Sequence, residues 1–268
     1  MLSQLGSLAA VIGWSWLIGL GTLCAQQPAA DAADLPPPLT EYKGRPVAPT
    51  MTFHGADWLI RKNREQEEHC KTMLAALKLK PGDVVCDMGC GNGFYTLKMA
   101  RLVGEEGRVL AVDIQPEMLH MLDLRAKRVK VANVEPIQST PIDPKLPKGE
   151  VDLILLVDVY HEFAYPEQML ESMRESLKPT GRVALVEYRL EDPQVPIKLE
   201  HKMSKEQIMK EFPANGFKLV GQFDELPWQH LMFFGRDDAQ AAGDEEDQGG
   251  SSNGAAKKRS KRAKRASE

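Results

Sequence analysis

Positive charge is missing from the beginning of this chain, and large side chains are missing from its end. Residues 1–42 hold no Lys or Arg, and residues 237–268 hold no Leu, Ile, Val, Phe, Met, Trp or Tyr. A segment without large apolar side chains cannot build a core, so 237–268 is expected to be a disordered tail. Cysteine is scarce, with Cys24, Cys70, Cys86 and Cys90 the only four in 268 residues. Their spacing matches no zinc pattern and offers little for a disulfide framework. His69 stands beside Glu67, Glu68 and Cys70, but no second ligand cluster accompanies it, so no metal site is expected. The net charge of −4 gives no sign of a nucleic-acid partner. Hydrophobic content of 43% with 27% charged residues excludes wholesale disorder, collagen and a polytopic membrane protein.

What is present divides the chain into four parts. Residues 5–25 are almost wholly apolar or small, with Trp14 and Trp16 at the centre. Residues 1–25 therefore read as a signal peptide, cleaved after Ala25, or as a retained membrane anchor. Leu23 and the missing basic n-region depart from the usual signal pattern, and a start at Met51 is the alternative. The expected location is periplasmic or membrane-anchored, or cytoplasmic if the start lies further on. Residues 26–53 are a Pro/Ala-rich spacer, 54–236 a single domain, and 237–268 the tail. In that tail acids come first, then a basic run from Lys257 to Arg265, seven bases against seven acids. The basic run suits RNA or anionic lipid, and a solvated solubility tail is the plainer reading.

Within 54–236, short apolar runs alternate with helical patterns. A helix is expected over 58–77, then strands at 84–88, 108–112, 134–138, 151–157 and 182–188. Helices fall between them, and a closing pair of strands lies at 217–223 and 230–235. Pro116 suits a helix start and Ser204 an N-cap. This alternation predicts an α/β fold with a doubly wound, mainly parallel sheet. Ligands of such sheets bind at the carboxyl ends of the strands.

The informative segment is Asp87-Met88-Gly89-Cys90-Gly91-Asn92-Gly93, between a strand and a helix. Gly89, Gly91 and Gly93 allow a tight turn and close approach of a ligand to the backbone. Asp113 follows at the end of the next strand, where an acid can accept both hydroxyls of a ribose. A dinucleotide site usually reads Gly-x-Gly-x-x-Gly, because pyrophosphate needs exposed amides at the helix start. Here the order is Gly-x-Gly-x-Gly with Asp87 before it, and a carboxylate facing pyrophosphate would repel it. An ammonium or sulfonium would suit the same carboxylate, which favours S-adenosylmethionine over NAD(P).

This segment, with Asp113, resembles the cofactor motif of class I S-adenosylmethionine-dependent methyltransferases. The resemblance covers roughly 54–236 and is nearest to small-molecule enzymes of the type-11 and quinone-biosynthesis kinds. Residues 151–158, ending in Asp158, resemble the family's fourth strand. Residues 177–183 resemble the turn before its fifth, with Thr180 in place of a glycine. The resemblance implies a Rossmann-like seven-stranded sheet in the order 3-2-1-4-5-7-6. It also implies that Gly89, Gly91 and Gly93 border the methionine moiety, Asp87 its ammonium, Asp113 the ribose and Ile114 the adenine. The family's acid after the third strand is replaced here by Gln138-Ser139-Thr140, with Asp143 later.

Methyl transfer from a sulfonium needs alignment and exclusion of water, and a base only when the acceptor arrives protonated. His161 is the first candidate base, with Tyr160 and Glu162 as orienting groups and Asp158 at the strand end. Glu187, His201 and Lys202, His230 and an N-terminal lid helix carrying Trp58, Arg61, Arg64 and Glu65 are weaker candidates. With no added recognition domain, a small or lipid-like acceptor is expected, with membrane contact through the N-terminal segment. A non-catalytic S-adenosylmethionine-binding module and an NAD(P)-dependent oxidoreductase are the alternatives.

Overall fold

A computed structural model of the chain describes residues 35–238. The expected signal or anchor, residues 26–34 of the spacer and almost all of the tail lie outside the described residues. Among those described, no helix is long and apolar enough to cross a membrane.

The sheet grows outward from β1 (Val84–Met88), whose residues from Val85 onward are buried. Continuous apolar runs of this kind need cover on both faces, which a parallel sheet with helices on each side supplies. β1 lies between β2 (Arg108–Asp113) and β4 (Val151–Val157), parallel to both. β3 (Val134–Gln138) flanks β2, and β5 (Leu177–Arg189) flanks β4. β6 (Phe217–Phe223) and β7 (Gln229–Arg236) close the sheet as an antiparallel pair, β7 inserting beside β5. The observed order is therefore the expected 3-2-1-4-5-7-6. One two-residue strand, Lys202–Met203, pairs with the end of β5 and was not expected.

Alternation along the strands divides the core. On β4, Ile154 and Leu156 face a cluster with Met169, Leu170 and Met173 of helix 166–176, while Leu153 and Leu155 face one with Met73, Met99 and Val103. Cys70, Cys86 and Cys90 are free thiols buried in these layers.

The single helix expected over 58–77 is instead three pieces. A 3₁₀ segment spans Phe53–Ile60, α1 spans Arg64–Glu68 and α2 spans Cys70–Ala76, with His69 at φ 50° between the last two. The cause is a buried charge. Glu68 is fully buried and accepts from Arg61 Nη2 (2.6 Å), Arg64 Nε (2.8 Å) and Tyr188 Oη (3.0 Å). Satisfying that carboxylate outweighs continuing the helix. The remaining helices are α3 (Thr96–Val103), α4 (Pro116–Val129), α5 (Pro166–Ser176) and α6 (Lys205–Glu211). Ser204 caps α6 as expected, its hydroxyl accepting from Gln207 N at 3.1 Å.

β5 begins five residues earlier than the expected 182, taking in the Lys178-Pro179-Thr180-Gly181 turn. A Cβ at Gly181 would lie 2.6 Å from the Val151 carbonyl oxygen, so glycine is needed there whatever stands at 180. Part of the expected spacer, residues 35–53, is among the described residues. The compact unit begins at Pro38, and a hairpin, Glu41–Tyr42 with Arg45–Pro46, is locked onto it. Arg45 makes a two-pronged pair with Glu211 at 2.8 and 3.1 Å and donates to the His161 carbonyl at 3.0 Å. At the other end, Asp237 is held by Arg174 at 2.9 Å and by the Gly216 carbonyl at 3.1 Å.

Glu211 is fully buried and Arg45 nearly so. Removing one partner of such a pair leaves an uncompensated charge. Glu211→Ala should therefore cost about 3–5 kcal/mol in urea denaturation. A loss below about 1 kcal/mol would show that the hairpin is not anchored this way.

Candidate active site

The β1–α3 turn holds all three motif glycines at positive φ: 69° at Gly89, 52° at Gly91 and 82° at Gly93. A side chain at Gly89 would collide with Val159, one at Gly91 with Leu59 and one at Gly93 with Leu122. Both conformation and space therefore demand glycine. The turn is tied to the next strand by Asp113, whose Oδ2 accepts from Gly91 N at 2.8 Å and whose Oδ1 accepts from Gln115 N at 2.9 Å. Each oxygen keeps a second lone pair for a ligand hydroxyl. Burial raises the Asp113 pKa, against the opposing pull of these amides.

Above the turn lies a cavity of about 400 Å³, within the range of small-molecule sites. Gly89, Gly91, Asp113 and Ile114 line it from the β1 and β2 ends, and Asp158 and Glu162 from beyond β4. Met51 and Leu59 line it from the N-terminal side. Gln115 fixes that cover, accepting from Phe53 N at 2.7 Å and donating to the Met51 carbonyl at 2.9 Å. Asn92 donates to the Ala56 carbonyl at 2.7 Å. The expected lid thus exists but is built by 50–60. Arg64, by contrast, is committed to Glu68, and Arg61 to Glu67 and Glu68.

The electrostatics of the cavity are one-sided. Asp113, Asp158 and Glu162 face it, and no Lys, Arg or His is among the described residues lining it. Asp158 sits at φ 53°, a left-handed conformation uncommon for a non-glycine residue. Its Oδ2 accepts from Gln229 Nε2 at 2.7 Å, while its buried Oδ1 has no partner among the described residues. Burial first, then the charges of Glu68 and Glu187, raise the Asp158 pKa well above the usual carboxylate range. Glu162 is pushed up to about 7, mainly by burial.

The segment after Asp158 forms one 3₁₀ turn, Tyr160–Glu162. Three residues per turn send three successive side chains in three directions, so only one can enter the cavity. That one is Glu162, which also accepts from Met51 N at 3.2 Å. Tyr160 is directed into the core, donating to Glu211 Oε2 at 2.7 Å and packing against Phe163 and Phe212. His161 is 2% exposed and does not line the cavity. Its Nδ1 lies 2.6 Å from Glu187 Oε2, and its Nε2 lies 3.0 Å from Nδ1 of His201. Burial lowers the His161 pKa, but the charge and hydrogen bond of Glu187 outweigh that and leave it raised.

Residues 79–240 match the profile of a family described as "Methyltransferase domain". The chain belongs to this methyltransferase family. It is 28% identical over 148 residues to the ubiquinone/menaquinone biosynthesis C-methyltransferase UbiE of Vibrio parahaemolyticus, covering 55% of this chain and 52% of that one. It is 32% identical over 111 residues to UbiE of Salmonella arizonae, covering 41% and 44%. The methyltransferase thus spans about half the length of these curated relatives. A SAM-dependent methyltransferase structure from Aquifex aeolicus shares its fold, with TM-score 0.65 and 24% identity over 69% of this chain and 98% of that one.

S-adenosylmethionine is the cofactor that this membership brings, and the residues present fit it. The glycine turn admits a ligand against the backbone, Asp113 retains acceptor capacity, and the unpartnered Asp158 oxygen awaits a donor. A cavity with three carboxylates and no base suits a sulfonium and an ammonium, and it opposes the pyrophosphate of NAD(P). Of the residues expected at the cofactor, Gly89, Gly91, Asp113 and Ile114 line the cavity. Gly93 serves the turn by making room for Leu122. Asp87 is not brought to the cavity. It is buried behind the turn, where Thr96 Oγ1 donates to its Oδ2 at 2.5 Å. Ser139 and Thr140 line the cavity near β3, whereas Asp143 turns back to Thr140.

Among the expected catalytic residues, Asp158 lines the cavity, whereas His161 and Tyr160 lie behind it. Glu162, expected only as an orienting group, is the member of this turn that reaches the cavity. The approach of His161, Glu162 and His201 to one another was not expected at all.

Burial raises the Asp87 pKa from 3.8 to about 6, with the Thr96 hydrogen bonds opposing the rise. The folded state then holds a proton that the unfolded state has released, so this group's contribution to stability is lost as pH climbs from 3.8 to about 6. Asp87→Asn should lack that slope. Urea midpoints of the two proteins, compared between pH 4 and 7, should diverge in the sense that the variant gains relative to the parent. Parallel curves would place the proton elsewhere.

Proposed function

We propose that this methyltransferase transfers a methyl group from S-adenosylmethionine to a small, largely apolar acceptor bearing an acidic proton, such as a phenol or quinol. The observation that carries the reading is the cavity with three carboxylates, no base, and apolar walls that include Leu59, Phe163 and Met169. The curated relatives named for ubiquinone and menaquinone biosynthesis support an acceptor of this size and polarity.

When bound, S-adenosylmethionine supplies an electrophilic methyl group on a good leaving group. What remains for the protein is position, dryness and a proton acceptor. Asp113 accepts from ribose hydroxyls while it holds the glycine turn. Asp158 offers its free oxygen to the cationic end. Met51 and Leu59 cover the cavity and exclude water. Glu162, whose pKa of about 7 lies near neutrality, takes the acceptor's proton. Glu187 and His161 stand behind it and set the position of the turn, since Glu187 Oε1 also accepts from His161 N at 3.3 Å.

The location of this activity is part of the same reading. The apolar stretch at 5–25 supports export or anchoring, with a cytoplasmic domain if translation starts later. Mass spectrometry of the N-terminus of protein from fractionated cells decides between them. A cleaved chain starting near residue 26 supports export, and one starting at Met51 opposes it.

Incubation of the full chain with methyl-labelled S-adenosylmethionine and a cell extract should place label in the organic-soluble small-molecule fraction. Label confined to protein or RNA would refute the acceptor class. Once the acceptor is in hand, Glu162→Gln should lower kcat by about 10²–10⁴-fold and leave cofactor affinity nearly unchanged. Unchanged kcat would remove Glu162 from proton transfer.

A further inference from the structure

Two histidines and a glutamate from separate parts of the chain converge beside the cavity. His161 and Glu162 come from the turn after β4, and His201 comes from a 3₁₀ turn, Leu199–His201, that precedes the two-residue strand beside β5. One ligand atom from each of the three lies within 4.8 Å of the others. We propose that His161 Nε2, His201 Nδ1 and the Glu162 carboxylate form a binding site for a divalent transition metal ion of the zinc class.

Three features carry the assignment. The first is the donor set. Two imidazoles and one carboxylate suit zinc and its borderline neighbours, and three protein ligands leave a fourth tetrahedral position for water or substrate. The second is spacing. The two ring nitrogens are 3.0 Å apart. Tetrahedral coordination with bonds of 2.0–2.1 Å needs roughly 3.3 Å, so the nitrogens need shift only a few tenths of an ångström, while the Glu162 carboxylate, within 4.8 Å, closes in by a side-chain rotation.

The third feature is the support behind the ligand. Glu187 is fully buried at the end of β5, and its Oε2 sits 2.6 Å from His161 Nδ1. With an ion bound, Nδ1 keeps its proton on that carboxylate and Nε2 turns its lone pair to the ion; without one, the 3.0 Å contact is a hydrogen bond between the two rings. A histidine held by a carboxylate on its far nitrogen is the arrangement that orients metal-bound imidazoles and raises their basicity. Glu187 serves only Nδ1, so the second ring nitrogen needs a partner of its own. Here the second nitrogen is aimed at another imidazole, a pair of acceptor-capable rings that a cation would bridge.

Glu162 belongs to both this cluster and the cavity wall. The ion would therefore sit at the wall, its open position available to an oxygen or sulfur of the acceptor. Bound there, an acceptor hydroxyl would lose its proton more readily, the proton passing to the Glu162 oxygen that does not hold the ion. This last role rests on the methyl-transfer reading, whereas the metal site does not depend on it.

The test uses the full chain, stripped with a chelator and titrated with zinc chloride by calorimetry, without S-adenosylmethionine. One zinc per chain should bind, and cobalt(II) should give the intense visible absorption of a four-coordinate ion. His201→Ala, which removes a partly exposed ring, should weaken zinc binding at least a hundredfold while the fold survives. Glu162→Gln should weaken it at least tenfold. His230→Ala, at a histidine paired with Glu191 away from the cluster, should leave zinc binding unchanged. No zinc binding by the parent, or equal affinity in His201→Ala, would overturn the proposal. Zinc binding without methyl transfer would leave the site standing and refute only the role in acceptor activation.

Discussion

The 2.8 Å hydrogen bond from Gly91 N–H to Asp113 is the constraint on which the rest of the site depends. It joins the turn after β1 to the end of the neighbouring strand β2. To make it, the chain must turn through three positive-φ residues, which only glycine adopts at no steric cost. The close packing of Leu59, Leu122 and Val159 against those glycines then brings the N-terminal cover, helix α4 and the β4 turn together around one cavity. A single side-chain carboxylate thus clamps the turn and lines the cavity.

The cavity is built at an electrostatic disadvantage. Asp113, Asp158 and Glu162 share it without a compensating base, and burial raises the pKa of each. Such crowding of acids disfavours the charged forms in the free protein and is relieved by a cationic ligand. The buried arginines lie one layer out. Arg64 answers Glu68, and Arg45 answers Glu211, so that their charges hold the scaffold without entering the cavity. The molecule thereby keeps positive charge for structure and negative charge for the ligand.

The sheet was legible because its signals are local. Val84–Met88 and Val151–Val157 are apolar runs bounded by turn residues, and the glycine spacing with Asp113 names its own geometry. The parts that escaped depend on tertiary partners. Nothing in the periodicity of 58–77 shows that Glu68 is pulled inward by Arg61, Arg64 and Tyr188, which breaks the helix at His69. Nothing near Arg45 announces Glu211, 166 residues away. His161 and Tyr160 lie behind the cavity for a different reason: a 3₁₀ turn distributes its side chains, and its presence at 160–162 is not marked in the sequence. His201 was noticed but not paired, since its partner lies forty residues away in sequence.

The central claim is that the cavity is made for a phosphate-free cation carrying a ribose. Calorimetric titration of the full chain with S-adenosylmethionine, alongside NADH, tests it most directly. The account predicts saturable one-to-one binding of S-adenosylmethionine, weakened about tenfold to a hundredfold by Asp113→Ala, which removes a charge-assisted hydrogen-bond acceptor. It predicts no binding of NADH. Saturable binding of NADH with none of S-adenosylmethionine would contradict it.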